Sequence, residues 1–101
     1  MKETVIFSNG LRKLKVKKGD MIYIDDMIIQ ICCIEKANDQ YSVWYKMFDH
    51  EQKCWSDRLP LLSRKGTSII NFAAKRIAKV PRLKRVLLRL DSCKDCFTWK
   101  I

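Results

Sequence analysis

TSIINFAAKRIAKVPRLKRVLLRL, residues 67–90, differs in character from the β-rich sequence before it. Thr67 or Ser68 can cap a helix, because a side-chain oxygen there accepts from a backbone N–H that has no partner in the first turn. Ile69 to Val80 then has helical composition, with Ala73, Ala74 and Ala78. Ile70, Ala73, Ala74 and Ile77 fall on one face of that helix, and Lys75, Arg76 and Lys79 lie away from it beside Phe72. Pro81 ends or kinks the helix. Beyond it, Leu83, Val86, Leu87 and Leu90 repeat at i, i+3, i+4 and i+7, while Arg82, Arg85 and Arg89 form a second stripe. The periodicity predicts a short amphipathic helix with the leucines turned to the core. The run is also short enough for Val86 to Leu90 to fit a strand.

The N-terminal half, by contrast, has strand chemistry. Residues 3–7, 11–16, 21–24, 27–34 and 41–48 are rich in β-branched and aromatic residues. Ser8-Asn9-Gly10, Lys18-Gly19-Asp20, Asp25-Asp26 and Ala37-Asn38-Asp39-Gln40 punctuate them as turns. The expected fold class is therefore α+β. A small twisted antiparallel sheet or SH3-like partial barrel comes from the N-terminal half, with one or two C-terminal basic helices packed on its open side. A single domain over 1–101 would divide into a β-rich part (1–58), a basic helical part (59–92) and a returning strand (93–101), where Phe97, Trp99 and Ile101 alternate. The segment GDMIYIDDMIIQ, residues 19–30, resembles the Gly-Asp, strand, acidic turn, strand unit of SH3-like and KOW-type barrels and of the carbon storage regulator family. The resemblance covers a hairpin and implies no functional residue.

Charge is unevenly distributed. The chain has 101 residues, 21 Lys and Arg, 11 Asp and Glu, and a net charge of +10. Residues 58–90 hold ten cations and no acid: Arg58, Arg64, Lys65, Lys75, Arg76, Lys79, Lys84 and the three arginines of the stripe. The remainder is neutral. A solvated face explains many charge runs, but crowding like charges costs stability, and exclusion of every acid points to a polyanion partner. Lys13, Lys15 and Lys17 alternate with Leu14 and Val16, so on a strand they share a solvated face. They serve either as a second cationic row or as the lysines that protect a sheet edge from pairing.

The cysteines offer a metal hypothesis. Cys93 and Cys96 are spaced C-x2-C, and His50 and Cys54 are spaced H-x3-C. Together they would make a four-ligand set for a structural zinc. Ordinary reduced thiols are the competing reading, with Cys32 and Cys33 as small hydrophobes on a strand. Catalysis has little to build on. The sole histidine, His50, lies between Asp49 and Glu51, and such a trio is far more often a surface loop than a divalent-ion site. No phosphate loop or nucleophile elbow is present. Tyr41, Trp44, Tyr45, Phe48 and Trp55 cluster within fifteen residues. On a strand, Trp44 and Phe48 would share one face and Tyr41 and Tyr45 the other. One face must be core, and the other either covers the sheet or stacks single-stranded bases.

These readings converge on a non-enzymatic nucleic-acid-binding protein, a small regulatory or accessory factor. Its contacts to phosphate would come from Arg64, Lys65, Lys75, Arg76, Lys79, Arg82, Lys84, Arg85 and Arg89, with Lys13, Lys15 and Lys17 in support. The alternative is an inhibitor or adaptor that docks an acidic protein partner through the same basic face. A membrane partner is set aside, because the leucine stripe is short and is needed for the core. A homodimer through an exposed sheet edge fits as well. No secretory h-region fits the first ten residues, no apolar run reaches membrane-spanning length, and five cysteines are an odd number. A reducing, cytoplasmic location is expected, with no cofactor other than the zinc considered above.

Overall fold

In the computed structural model, which describes residues 3–92, alternating stretches become strands joined by tight turns. β1 (Thr4–Ser8) and β2 (Lys13–Lys17) pair antiparallel, with Ile6 opposite Lys15. β3 (Met21–Ile24), β4 (Met27–Ala37) and β5 (Gln40–Asp49) form an antiparallel meander. Asn38 and Asp39 connect β4 to β5 with φ of 52° and 65°. Asn and Asp are among the few non-glycine residues that tolerate this left-handed region, and two of them in succession make the hairpin turn whose twist suits the strands. A bulge at Cys32 shifts the β4–β5 register between Ile31 and Cys33.

The C-terminal half departs from expectation. β6 (Cys54–Trp55) and β7 (Leu59–Leu62) both pair with β5. β8 (Ile69–Asn71) runs parallel to β1, and β9 (Ile77–Lys79) pairs antiparallel with β3. Only after Pro81 does a helix form, α1 (Arg82–Ser92). The α+β expectation is thus corrected: the protein is mostly β, in two sheets, and is not a sheet covered by C-terminal basic helices. Residues 59–92 are three strands before they are a helix. Nor does the N-terminal half close on itself as a partial barrel. Its first hairpin joins β8 in a three-stranded sheet, order β2-β1-β8, and its meander joins β9 in a six-stranded one, order β6-β5-β4-β3-β9 with β7 also on β5. Residues 93–101, with their expected strand, lie outside the described residues.

Tertiary pairing explains why residues 69–80 are not helical. A twelve-residue helix is marginal in water by propensity alone, so packing decides. Here β1 and β3 each offer an open edge. Ile6 N donates to Ser68 O, Phe72 N to Ser8 O and Val80 N to Met21 O, each within 2.9 Å. Phe72 sets its ring edge-on against buried Phe7, centroids 4.8 Å apart. Between β8 and β9 the chain is an extended strap. Asn9 Nδ2 donates to Ala74 O at 3.1 Å, and Asp25 Oδ1 accepts from Lys75 N at 2.9 Å and Arg76 N at 3.0 Å. Those are the backbone groups that a helix would have consumed.

The main core lies between the sheets. Val5, Phe7, Leu14, Val16 and Ile70 from the three-stranded sheet meet Ile22, Ile24, Ile29, Ile31, Val43 and Ile77 from the six-stranded one. The outer face of the larger sheet carries a second cluster, Met21, Ile28, Phe48, Trp55 and Val80, covered by Leu88 of α1. Ser63, buried after β7, locks that strand's exit. Its Oγ accepts from Tyr41 N at 2.9 Å and donates to Thr67 O at 2.9 Å. Ser63→Ala strands both groups and is expected to cost about 1–2 kcal/mol in urea unfolding; Ser63→Thr, which keeps the hydroxyl, tests whether the hydrogen bonds are the cause.

Candidate nucleic-acid interface

Lys15 and Lys17 of the N-terminal basic group meet Lys79 of the C-terminal one at a single cleft. Lys15 and Lys17 stand on the exposed face of β2, where the KLKVK alternation leaves Leu14 and Val16 inside. Lys79 ends β9, the edge strand of the other sheet. Together with Thr4 and Val16 these lysines line a cleft of about 330 Å³ between the sheet edges. Lys13 continues the row along β2. Alternate residues on a strand rise about 6.8 Å apart, so successive lysines present a regularly spaced line of charge.

A buried acid holds this cleft in shape. Asp20 sits in the Gly19-Asp20 turn, nearly enclosed. Its Oδ2 accepts from Lys17 N at 3.0 Å and pairs with Lys79 Nζ at 3.2 Å. Half of the Lys79 side chain remains in water (49% exposed). Asp20 ties the end of β2 to the end of β9 and fixes the spacing of the cations.

Lys75 and Arg76 form an exposed turn pinned by Asp25. Besides the two bonds to its carboxylate, Asp25 N donates to Arg76 O at 2.8 Å. The Arg76 guanidinium stacks over Tyr23, 4.5 Å from the ring centroid. Sequence reasoning passed over Asp20, Asp25 and Asn9 as turn residues. The exclusion of acids from residues 58–90 was a signal for Asp20 and Asp25, since an ion pair or carboxylate bond to that segment has to come from outside it.

The other expected contacts are dispersed. Arg64 and Lys65 occupy the β7–β8 turn, whose Gly66 N donates to Asp39 O at 2.6 Å, so this turn belongs to the β4–β5 hairpin end. Lys36 is there too, in a polar cleft of about 220 Å³ with Asp39, Tyr41, Gly66, Thr67 and Ser68. Arg82 and Lys84 are exposed on α1. Arg85 is half-buried, with its Nε enclosed and without a hydrogen bond. Arg89 falls within α1, whose side chains are described as far as Leu88.

Of the four ligands considered for zinc, His50 is exposed and rests edge-on against Phe48, centroids 5.3 Å apart, while Cys54 is buried on β6. Cys93 and Cys96 lie outside the described residues. Among the described residues, no group of three or more His, Cys, Asp and Glu side chains is placed to hold a metal. The aromatics split as alternation requires. Tyr41 and Tyr45 pack against the inter-sheet core, and Phe48 and Trp55 lie in the second cluster. Trp44, half-buried, donates from Nε1 to Glu35 Oε1 at 3.2 Å.

No family model, curated protein or solved structure matches the chain. Among the described residues, no helix is long and apolar enough to cross a membrane.

Proposed function

We propose that the protein is a small, non-enzymatic nucleic-acid-binding factor of regulatory or accessory type that grips phosphates at the cleft between β2 and β9. The observation that carries this reading is the convergence of Lys15, Lys17 and Lys79 on one cleft. Asp20 pairs with Lys79, so three cations meet one acid here, and that positive excess favours a polyanion partner. Lys13 extends the row, and the exposed Lys75, Arg76, Arg82 and Lys84 flank Lys79 in sequence. Contacts of this kind release counterions and give affinity without reading base sequence.

Fluorescence anisotropy on labelled duplex DNA, single-stranded DNA and RNA across a salt series tests the proposal. Binding that weakens steeply with salt is expected. Lys15→Gln combined with Lys17→Gln should flatten the slope of log affinity against log salt by roughly 1.5–2, about two phosphate contacts. No binding at low salt, or an unchanged slope in the double variant, overturns it. An acidic protein partner is then the reading to test, by pull-down.

A further inference from the structure

The helix α1 is turned the opposite way from the one its sequence suggests. Leu88 is the residue that enters the second core, at 5% exposure, with Arg85 half-buried beside it on the same side. Leu83, Val86 and Leu87 face outward, at 73%, 44% and 51% exposure. They sit at i, i+3 and i+4, so they form one contiguous aliphatic strip. The exposed cations Arg82 and Lys84 adjoin it, and the helix holds four Arg and Lys to one acid, Asp91.

Two grounds spoke against a membrane partner: the leucine stripe is short, and the core was expected to need it. The second ground falls, because among the described side chains of α1 it is Leu88 that covers the core. What remains is a helix that combines strong amphipathicity with low overall hydrophobicity and a cationic border, the pattern of helices that lie flat in a bilayer interface. At 11 residues it is far too short to span one.

We propose that α1 docks the protein on an anionic lipid surface. Leu83, Val86 and Leu87 enter the boundary between headgroups and acyl chains, and Arg82 and Lys84 engage the lipid phosphates. Charge selects this occupant over a second copy of the chain. Pairing two such strips would bring Arg82 and Lys84 of one copy against those of the other, and like charges at close range repel. An anionic leaflet attracts the same cations while it accepts the leucines. Leu83, Val86 and Leu87 do not line the lysine cleft of β2 and β9, so substituting them distinguishes lipid docking from nucleic-acid binding.

Flotation of the full chain with phosphatidylcholine vesicles, with and without phosphatidylserine, tests this. Binding is expected only with phosphatidylserine and should weaken as salt screens the surface. Leu83→Ser combined with Leu87→Ser should reduce lipid binding roughly tenfold or more, because binding scales with buried apolar area. Both leucines are exposed, so the double variant should keep its circular dichroism spectrum and its salt-dependent binding of nucleic acid. Absence of binding to phosphatidylserine vesicles overturns the proposal, as does equal binding to phosphatidylcholine alone. So does unchanged lipid binding by the double variant. Light scattering supplies a further check: self-association of the native chain that the double variant abolishes would make the strip a self-interface and overturn lipid docking.

Discussion

Asp25→Ala is expected to lower the unfolding free energy by about 3 kcal/mol, measured by urea denaturation. Two effects add. The carboxylate accepts from Lys75 N and Arg76 N at 2.9 and 3.0 Å, and removing it leaves two donors of the strap without their partner. Each bond contributes on the order of 1 kcal/mol at a site open to water. Asp25 also holds a φ of 55°, where alanine costs roughly 1 kcal/mol more than a residue suited to that region. Asp25→Gly separates the effects, since glycine relieves the backbone and still lacks the acceptor. Asp25→Asn keeps an oxygen and a tolerance for positive φ, so it should lose the least. If alanine and asparagine are equally destabilising, the hydrogen bonds to the Lys75–Arg76 turn are not what holds the strap.

Lys15→Glu combined with Lys17→Glu should weaken nucleic-acid affinity by on the order of a hundredfold at low salt, with little effect on stability. Both side chains are exposed on β2, and surface substitutions of this kind usually change stability by under about 0.5 kcal/mol. Reversal removes two phosphate contacts and adds two repulsions, so the loss should shrink as salt rises. Arg64→Glu combined with Lys65→Glu, at the β4–β5 hairpin end, provides the matched control and should cost much less. Equal losses from the two pairs would mean diffuse attraction to a +10 protein rather than a site at the cleft.

The same contrast between local pattern and assembled fold runs through the molecule. The N-terminal strands and turns were legible because each depends on neighbours. KLKVK alternates, Asn-Gly and Asn-Asp tolerate positive φ, and MIYI and MIIQICCI have side chains that suit a pleated sheet. The helix after Pro81 was legible for the same reason, since its stripe is periodic. Which side of α1 is covered was not. Periodicity identifies an apolar face, but burial depends on the neighbour, and Phe48, Trp55 and Val80 receive Leu88. The aromatic cluster behaved similarly: alternation sorted Tyr41 and Tyr45 from Phe48, but the structure decided that the tyrosines pack against the inter-sheet core and Phe48 against the second cluster.

The site was half legible. Composition alone located the cations and the acid-free third of the chain, because charge is a property of residues and needs no geometry. That Lys15 and Lys17 meet Lys79, while Arg64 and Lys65 go elsewhere, depends on how the sheet edges come together. Ile69 to Val80 is the sharpest case. Its alanines and spacing favour a helix by a few tenths of a kcal/mol per residue, whereas open edges on β1 and β3, the ring of Phe7, and the side chains of Asn9 and Asp25 offer long-range partners of comparable or larger worth. A propensity summed over twelve residues is weaker than the pairing of two sheets, and those pairings join residues more than fifty positions apart, beyond the reach of any local pattern.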